Sequence, residues 1–325
     1  MASTCHGMSY LSRVLLGIKL FFSEHFTLSG PPARSSFHLP ENKGTIVTSR
    51  RLPPRSIESQ ESLQSSRLPQ MRVLILSDIH ANLDALNAVL AAAPPHDAVW
   101  NLGDVVGYGA NPNEVIDRVR EKGQVFVRGN HDKACSGVDD MEGFNPIAGR
   151  AAQWTRCVLT PEHTGWLQAM PAGPISPDGP DVCCAHGSLL DEDQYVLTVR
   201  DAWAPLAISP ARINFFGHTH LQGGFATNGE EWFRITPQYH FRGADEFELP
   251  LRNSSRYLIN PGSVGQPRDG DWRAAFALYE TEGSGEDEIR RVIFYRVPYD
   301  VKCAQQKIVA AGLPHRLATR LKDGR

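Results

Sequence analysis

Apolar residues in this chain follow one rhythm up to residue 220 and another beyond it. Between residues 71 and 170, short continuous apolar runs alternate with stretches of helical period. Val73-Leu74-Ile75-Leu76 predicts a buried strand over 72–77. From Asn82 to Ala93, Leu83, Leu86, Val89 and Leu90 share one helical face, and Pro94-Pro95 ends the helix. A strand over 97–102 follows. A helix from Asn113 to Lys122 then turns Val115, Ile116 and Val119 inward, with Gly123 just past its end, and a strand over 124–128 comes next. This β-α-β-α-β order predicts a sheet with crossover helices. A helical region from Phe144 to Met170 is broken at Pro161. Val182-Cys183-Cys184 and Ile213-Asn214-Phe215-Phe216 are two more buried runs. Beyond 220 the pattern turns to strands: Gly223–Thr227, Glu231–Thr236, Tyr257–Asn260, Arg273–Tyr279 and Ile289–Val297. Helices over Tyr299–Ala311 and His315–Leu321 close it. The expected fold is α/β, with two sheets packed face to face and helices outside.

Five short polar motifs each follow an apolar run: Asp78-Ile79-His80, Gly103-Asp104, Gly129-Asn130-His131-Asp132, His186-Gly187 and Gly217-His218-Thr219-His220. Side chains at strand ends gather at one edge of a sheet, where open α/β sheets build their sites. Asp, Asn and neutral His are oxygen and nitrogen donors suited to Mn²⁺, Fe, Zn²⁺, Co²⁺, Ni²⁺ or Mg²⁺. Asp-X-His and His-X-His are expected to aim both members of each pair one way through the two-residue strand period. Two cations about 3.5–4 Å apart need a bridging anion, and Asp104, after its glycine, is the candidate. Each motif alone has a plain structural reading, such as a turn at Gly103-Asp104 or Gly129-Asn130. The five in order do not share one.

Composition narrows the classes. Of 325 residues, 41% are hydrophobic, which supports a sizeable core. A formal charge of −3 gives no basis for general nucleic-acid or membrane affinity. The six cysteines show no Cys-X-X-Cys spacing, and Cys183 and Cys184 as strand neighbours point to opposite faces. A reducing, cytoplasmic setting with free thiols is the simpler expectation. Residues 1–70 stand apart. They hold 8 Lys+Arg against 4 Glu, about +4, which leaves −7 for residues 71–325. Ser, Pro and Arg dominate 29–69, so disorder is expected. The apolar stretch from Val14 to Phe22 is short and interrupted by Lys19, too little to span a bilayer. An acid-poor leader fits a targeting segment, and Met71 at the head of the first strand fits an over-extended gene start. The expected organisation is an extension over 1–70 and one domain over 71–325.

In combination the five motifs resemble the signature blocks of the calcineurin-like metallophosphoesterases, over about 71–300. The run Gly103 to Glu114 and the run Asn260 to Pro267 resemble the small prokaryotic phosphodiesterase branch. Gly107-Tyr108-Gly109 and Asp132 stand where protein phosphatases carry Asp-Arg-Gly and Glu. That departure argues against a protein phosphatase and against symmetrical dinucleoside tetraphosphate hydrolases built on the same pattern. The resemblance implies a four-layer α/β/β/α sandwich of two mixed sheets and two divalent metal ions, with manganese the leading expectation. One ion would be held by Asp78, His80, Asp104 and His220, the other by Asp104, Asn130, His186 and His218, with Asp104 bridging.

The implied reaction is hydrolysis of a small phosphoester, by attack of a metal-bridging hydroxide on a phosphodiester. His131 is left over from the ligand set and is the candidate to stabilise the departing oxygen or protonate it as general acid. Asp132 or Asp78 would orient its far ring nitrogen. Residues 260–265 form either a loop near the cleft or a plain turn. A phosphomonoesterase with the same site is the first alternative. A non-catalytic scaffold of this fold is the second, and the full set of ligand positions argues against it. Neither a basic groove nor a recognition domain points to a nuclease. Substrate choice is expected in loops such as 135–150 and 188–206.

Overall fold

The computed structural model describes residues 70–177, 181–283 and 288–325. The extension expected over 1–70 lies outside the described residues, except for Gln70.

Two mixed sheets form the centre of the fold. The first has the order β3-β2-β1-β10-β11-β8, with β1 at Gln70–Leu76, β2 at Ala98–Asn101, β3 at Val125–Phe126, β8 at Asp245–Leu251, β10 at Ala274–Glu282 and β11 at Ile289–Val297. β1, β2 and β3 run parallel, and the other neighbours are antiparallel. The second sheet has the order β4-β5-β9-β6-β7, with β4 at Val182–Cys184, β5 at Ile213–Phe215, β6 at Gly223–Thr227, β7 at Trp232–Ile235 and β9 at Arg256–Asn260. β4, β5 and β9 are parallel.

Alternation along the strands builds the layers. Val73 and Ile75 of β1 pack with Trp100, Ile213, Phe215 and Cys184 in a core between the sheets. Trp100 lies 6.4 Å from the rings of both Phe215 and Tyr279, so it touches both sheets. Leu74 and Leu76, one position along, face a second core under α1 (Leu83–Ala92), α2 (Pro112–Lys122), α3 (Asn130–Ser136) and α4 (Pro146–Val158). Cys183 points away from Cys184, into a third core with Ala202 and Leu206 of α6 (Val199–Ile208). The result is the expected α/β/β/α order. Each fully buried Leu or Ile contributes about 1.5–3 kcal/mol, and the cores hold many such residues.

The structure adds three elements to the expected list. α3 begins at Asn130, and β3 is shorter than the strand over 124–128. α6 overlaps the end of the stretch 188–206, expected as a loop. β8 carries Pro250 and several acids, and so reads weakly as a strand. It sits at a sheet edge, where a missing N–H is tolerated. The break at Pro161 separates α4 from α5 (Pro161–Gln168), and two short helices, α7 (Val301–Ala310) and α8 (His315–Thr319), end the chain with a 3₁₀ turn at Arg320–Asp323.

Candidate metal centre

The five motifs meet at one edge, but not by strand alternation. β1 stops at Leu76 and β5 at Phe215. Asp78, His80, Asp104, His218 and His220 all have positive φ, between 51° and 64°. Asp and His tolerate this left-handed region better than most residues, and such strain gathers at functional sites. Each pair is therefore aimed by a tight loop rather than by the two-residue period. The loops lock to one another: Asp78 N–H donates to Gly103 O at 3.0 Å, and His80 N–H to Asp104 O at 2.9 Å. Gly129 has to lack a side chain, because a Cβ there would run into the Asp104 carboxylate.

Two groups of potential ligands result. Asp78, His80, Asp104 and His220 offer atoms within 4.8 Å of one another, and so do Asp104, His186 and His218. Asp104 belongs to both. Its Oδ2 stands 3.5 Å from His80 Nε2 and 3.5 Å from His186 Nε2. Asn130 Oδ1 is 3.3 Å from His186 Nε2, which places it beside the second group.

The ring hydrogen bonds decide which nitrogens face inward. Nδ1 of His80, His186 and His220 lies 3.1, 2.8 and 2.5 Å from the carbonyls of Val106, Leu102 and Gln266. A carbonyl only accepts, so each Nδ1 carries the hydrogen and each Nε2 is left as a ligand atom. His80 Nε2 and His220 Nε2 then face each other at 3.1 Å, two lone pairs with no hydrogen between them. His218 is turned the other way, with Nε2 against Asp193 O at 3.1 Å. Asp78 and Asp104 are buried, and among the described residues neither forms an ion pair with a lysine or arginine. Buried carboxylates and facing lone pairs demand positive charge, so the residues present fit divalent cations.

The pKa directions tell the same story. Burial, followed by the Asp104 charge, raises Asp78 against the pull of His186. Burial would lower His186, but the Asp104 and Asp78 carboxylates outweigh it and raise its pKa, so the buried carboxylates draw positive charge toward this ring. Burial drives His80 and His220 well below the ordinary range, and His218 down to about 3.

His131 and Asp132 lie beside this cluster, but not as expected. The Asp132 carboxylate accepts from Val106 N–H at 3.1 Å and Gly129 N–H at 3.0 Å. Asp78 accepts from Ser77 Oγ and His218 N–H. Neither carboxylate orients His131. Its Nδ1 is buried without a partner, pressed toward Gly107, where a Cβ would come within 2.5 Å of that nitrogen. An N–H there would be a stranded donor, so the ring's hydrogen belongs on Nε2. Burial lowers its pKa to about 4, with Arg268 and His186 adding to the effect and Asp104 opposing it.

Above the cluster lies a cleft of about 270 Å³, lined by Asp104, Asn130, His131, His218 and His220 together with Tyr108, Phe144, Tyr195 and Arg268. Residues 260–266 brace its floor. Asn260 Nδ2 donates to Gly217 O, and Ser263 Oγ to Asp78 O at 2.7 Å. The loop reading of this segment is therefore the correct one. Arg268, one residue past the motif run, was not singled out by sequence. Its Nε is buried without a partner, and its guanidinium lies 5.9 Å from the Tyr108 ring.

Comparison with known proteins agrees with this geometry. The family profile described as calcineurin-like phosphoesterase matches residues 71–222. The crystal structure of a metallophosphoesterase from Sphaerobacter thermophilus is 37% identical, with a TM-score of 0.66, over 79% of this chain and all of that one. The chain belongs to the calcineurin-like phosphoesterases. An uncharacterized protein of Methanocaldococcus jannaschii is 33% identical over 78% of this phosphoesterase and 98% of its own length. A symmetrical bis(5'-nucleosyl)-tetraphosphatase of Yersinia enterocolitica is 39% identical over 106 residues, 31% of this chain and 36% of that one.

Proposed function

We propose that this phosphoesterase is a metal-dependent phosphodiesterase acting on small substrates. The observation that carries the reading is Asp104, whose Oδ2 is equidistant from the Nε2 atoms of two separate ligand groups. Asp78, His80, Asp104 and His220 would hold one divalent cation, and Asp104, Asn130, His186 and His218 a second, with manganese the first candidate. Bound there, such cations neutralise phosphoryl oxygens and bring the pKa of water down from ~15.7 toward neutrality.

The chain's own groups do the rest. Backbone carbonyls fix the rings of His80, His186, His218 and His220 before substrate arrives. His131 is proposed to face the leaving oxygen with Nε2–H. Its lowered pKa favours a neutral imidazole that donates a hydrogen bond to developing charge. General-acid action by an imidazolium is the version this disfavours. Asp132 positions the Gly129 and Val106 amides rather than reacting.

Diester preference is supported by the cleft's charge. Asp139, Glu142 and Asp193 line it against Lys133 and Arg268, and the acidic excess repels a monoester dianion more than a diester monoanion. A cytoplasmic setting is supported by five free thiols among the described residues. None of the described helices is long and apolar enough to cross a membrane. Neither membrane nor nucleic acid is proposed as a partner.

The test is hydrolysis of bis-p-nitrophenyl phosphate beside p-nitrophenyl phosphate, with Mn²⁺ and then with EDTA. Faster, EDTA-sensitive cleavage of the diester is expected. Faster cleavage of the monoester would turn the assignment to a phosphomonoesterase. No turnover of either, with metals bound, would favour a non-catalytic scaffold.

A further inference from the structure

Beside the metal cleft lies a second cavity of about 350 Å³, walled by Tyr108, Asn145, Ile147, Arg316, Leu317 and Arg320. Tyr108 and Asn145 also line the metal cleft, so the two cavities share a wall. Arg268 stands on the metal side of Tyr108, and Arg316 and Arg320 line the far cavity. Among the described residues, no aspartate or glutamate side chain pairs with any of these three arginines. Arg268 donates only to Gln266 Oε1, at 3.2 Å, and Arg320 uses its Nε on the main-chain oxygen of Arg325, which also lines the far cavity, leaving its two terminal nitrogens free of acidic partners. Burial, then the charges of Arg268 and Arg316, lower the pKa of Arg320, so its guanidinium lies within electrostatic reach of both.

The other side of the cleft is the opposite. Lys133 is the cation there, and it is already committed to Asp193 at 2.5 Å, Glu192 at 3.3 Å and Asp139 at 3.5 Å. An anionic substrate group therefore finds open partners only toward the arginines. Guanidinium forks match phosphoryl oxygens and give strong charge-assisted bonds.

We infer that Arg316 and Arg320 form a subsite for a second phosphoryl group, with Arg268 on the metal side of Tyr108 along the way to it, so the natural substrates carry at least two. This rests on the phosphoesterase reading, because the first phosphoryl group is the one placed among the metal ligands. Tyr108 is the partition against which the linker between the groups lies.

The test uses the full Mn²⁺-loaded chain. Calorimetry compares the binding of adenosine 5'-monophosphate with that of adenosine diphosphate and adenosine 3',5'-bisphosphate, which differ only in the second phosphoryl group and its spacing. At least one of the two should bind roughly tenfold or more tightly than the monophosphate. Arg320→Gln and the exposed-site variant Arg316→Gln should each shrink that advantage about threefold or more. Arg316 guards against a folding artefact at half-buried Arg320. No advantage for either ligand, or an advantage kept in both variants, overturns the subsite. Diester turnover is scored separately. A chain that cleaves bis-p-nitrophenyl phosphate but shows no two-phosphoryl advantage overturns the subsite alone. A chain with the advantage and no turnover supports the subsite and overturns the phosphodiesterase reading.

Discussion

The floor of the cleft is held by backbone, whereas its acidic rim is held by side chains. On the floor, imidazoles donate to the carbonyls of Leu102, Val106 and Gln266, and the carboxylates of Asp78, Asp104 and Asp132 accept from backbone N–H groups. On the rim, Lys133 and Arg128 reach the partly exposed carboxylates of Glu192 and Asp193 through long side chains. Tyr195 lies stacked on His218 with ring centroids 3.9 Å apart, and its side is open to solvent. Backbone bonds tie ligand geometry to the fold itself, and they change only if the loops move. Side-chain pairs at a surface contribute about 0–1 kcal/mol each and can rearrange. The chemistry thus sits on the fixed part and substrate choice on the adjustable part.

Breaking the floor should cost most. Asp104→Ala removes the residue common to both ligand groups and the acceptor for His131 N–H at 2.8 Å. Metal analysis should find both sites emptied, with turnover lost alongside. His131→Ala should keep its metals and lose roughly 10²–10⁴ in turnover. A rate close to that of the parent would refute its place at the leaving oxygen. Ser263→Ala removes a donor to Asp78 O and an acceptor for Gln266 N–H. Urea unfolding should register a loss of about 1–3 kcal/mol, along with weaker metal retention.

The rim should respond gently. Glu192→Gln should change stability by less than about 1 kcal/mol and shift KM more than kcat. A change in kcat as large as that of His131→Ala would erase the distinction between floor and rim. The smallest effect is expected far from both. Burial alone would raise Asp181, but Arg212 and Arg290 outweigh it and hold its pKa down to about 2. A lowered folded-state pKa means that stability from this group is present above its unfolded pKa, about 3.9, and is lost as pH falls through about 2. Asp181→Asn should flatten that part of the acid-unfolding curve.

The same division decides what could be read from the sequence. The buried runs before each motif are long enough to mark β1, β2 and β5, and the ligand types name the chemistry. The cause of their shared direction was not legible, because positive φ at Asp78 or His218 leaves no mark in composition. The role of Asp132 was misread for a related reason: its carboxylate serves amides of residues 106 and 129, and only the tertiary fold brings those to it. β8 hid behind Pro250, and α3 behind a motif that also reads as a turn. Arg268 lies far upstream of Arg316 and Arg320 in the sequence, and only the fold brings it to the other side of Tyr108 from them.

The most direct test of the account is a metal count on the purified full chain, followed by titration of the chelated protein with Mn²⁺. Two ions per chain are predicted, with turnover of bis-p-nitrophenyl phosphate returning only as both sites fill. A chain that binds one ion or none, or that cleaves the diester at full rate in EDTA, would contradict a dinuclear centre shared through Asp104.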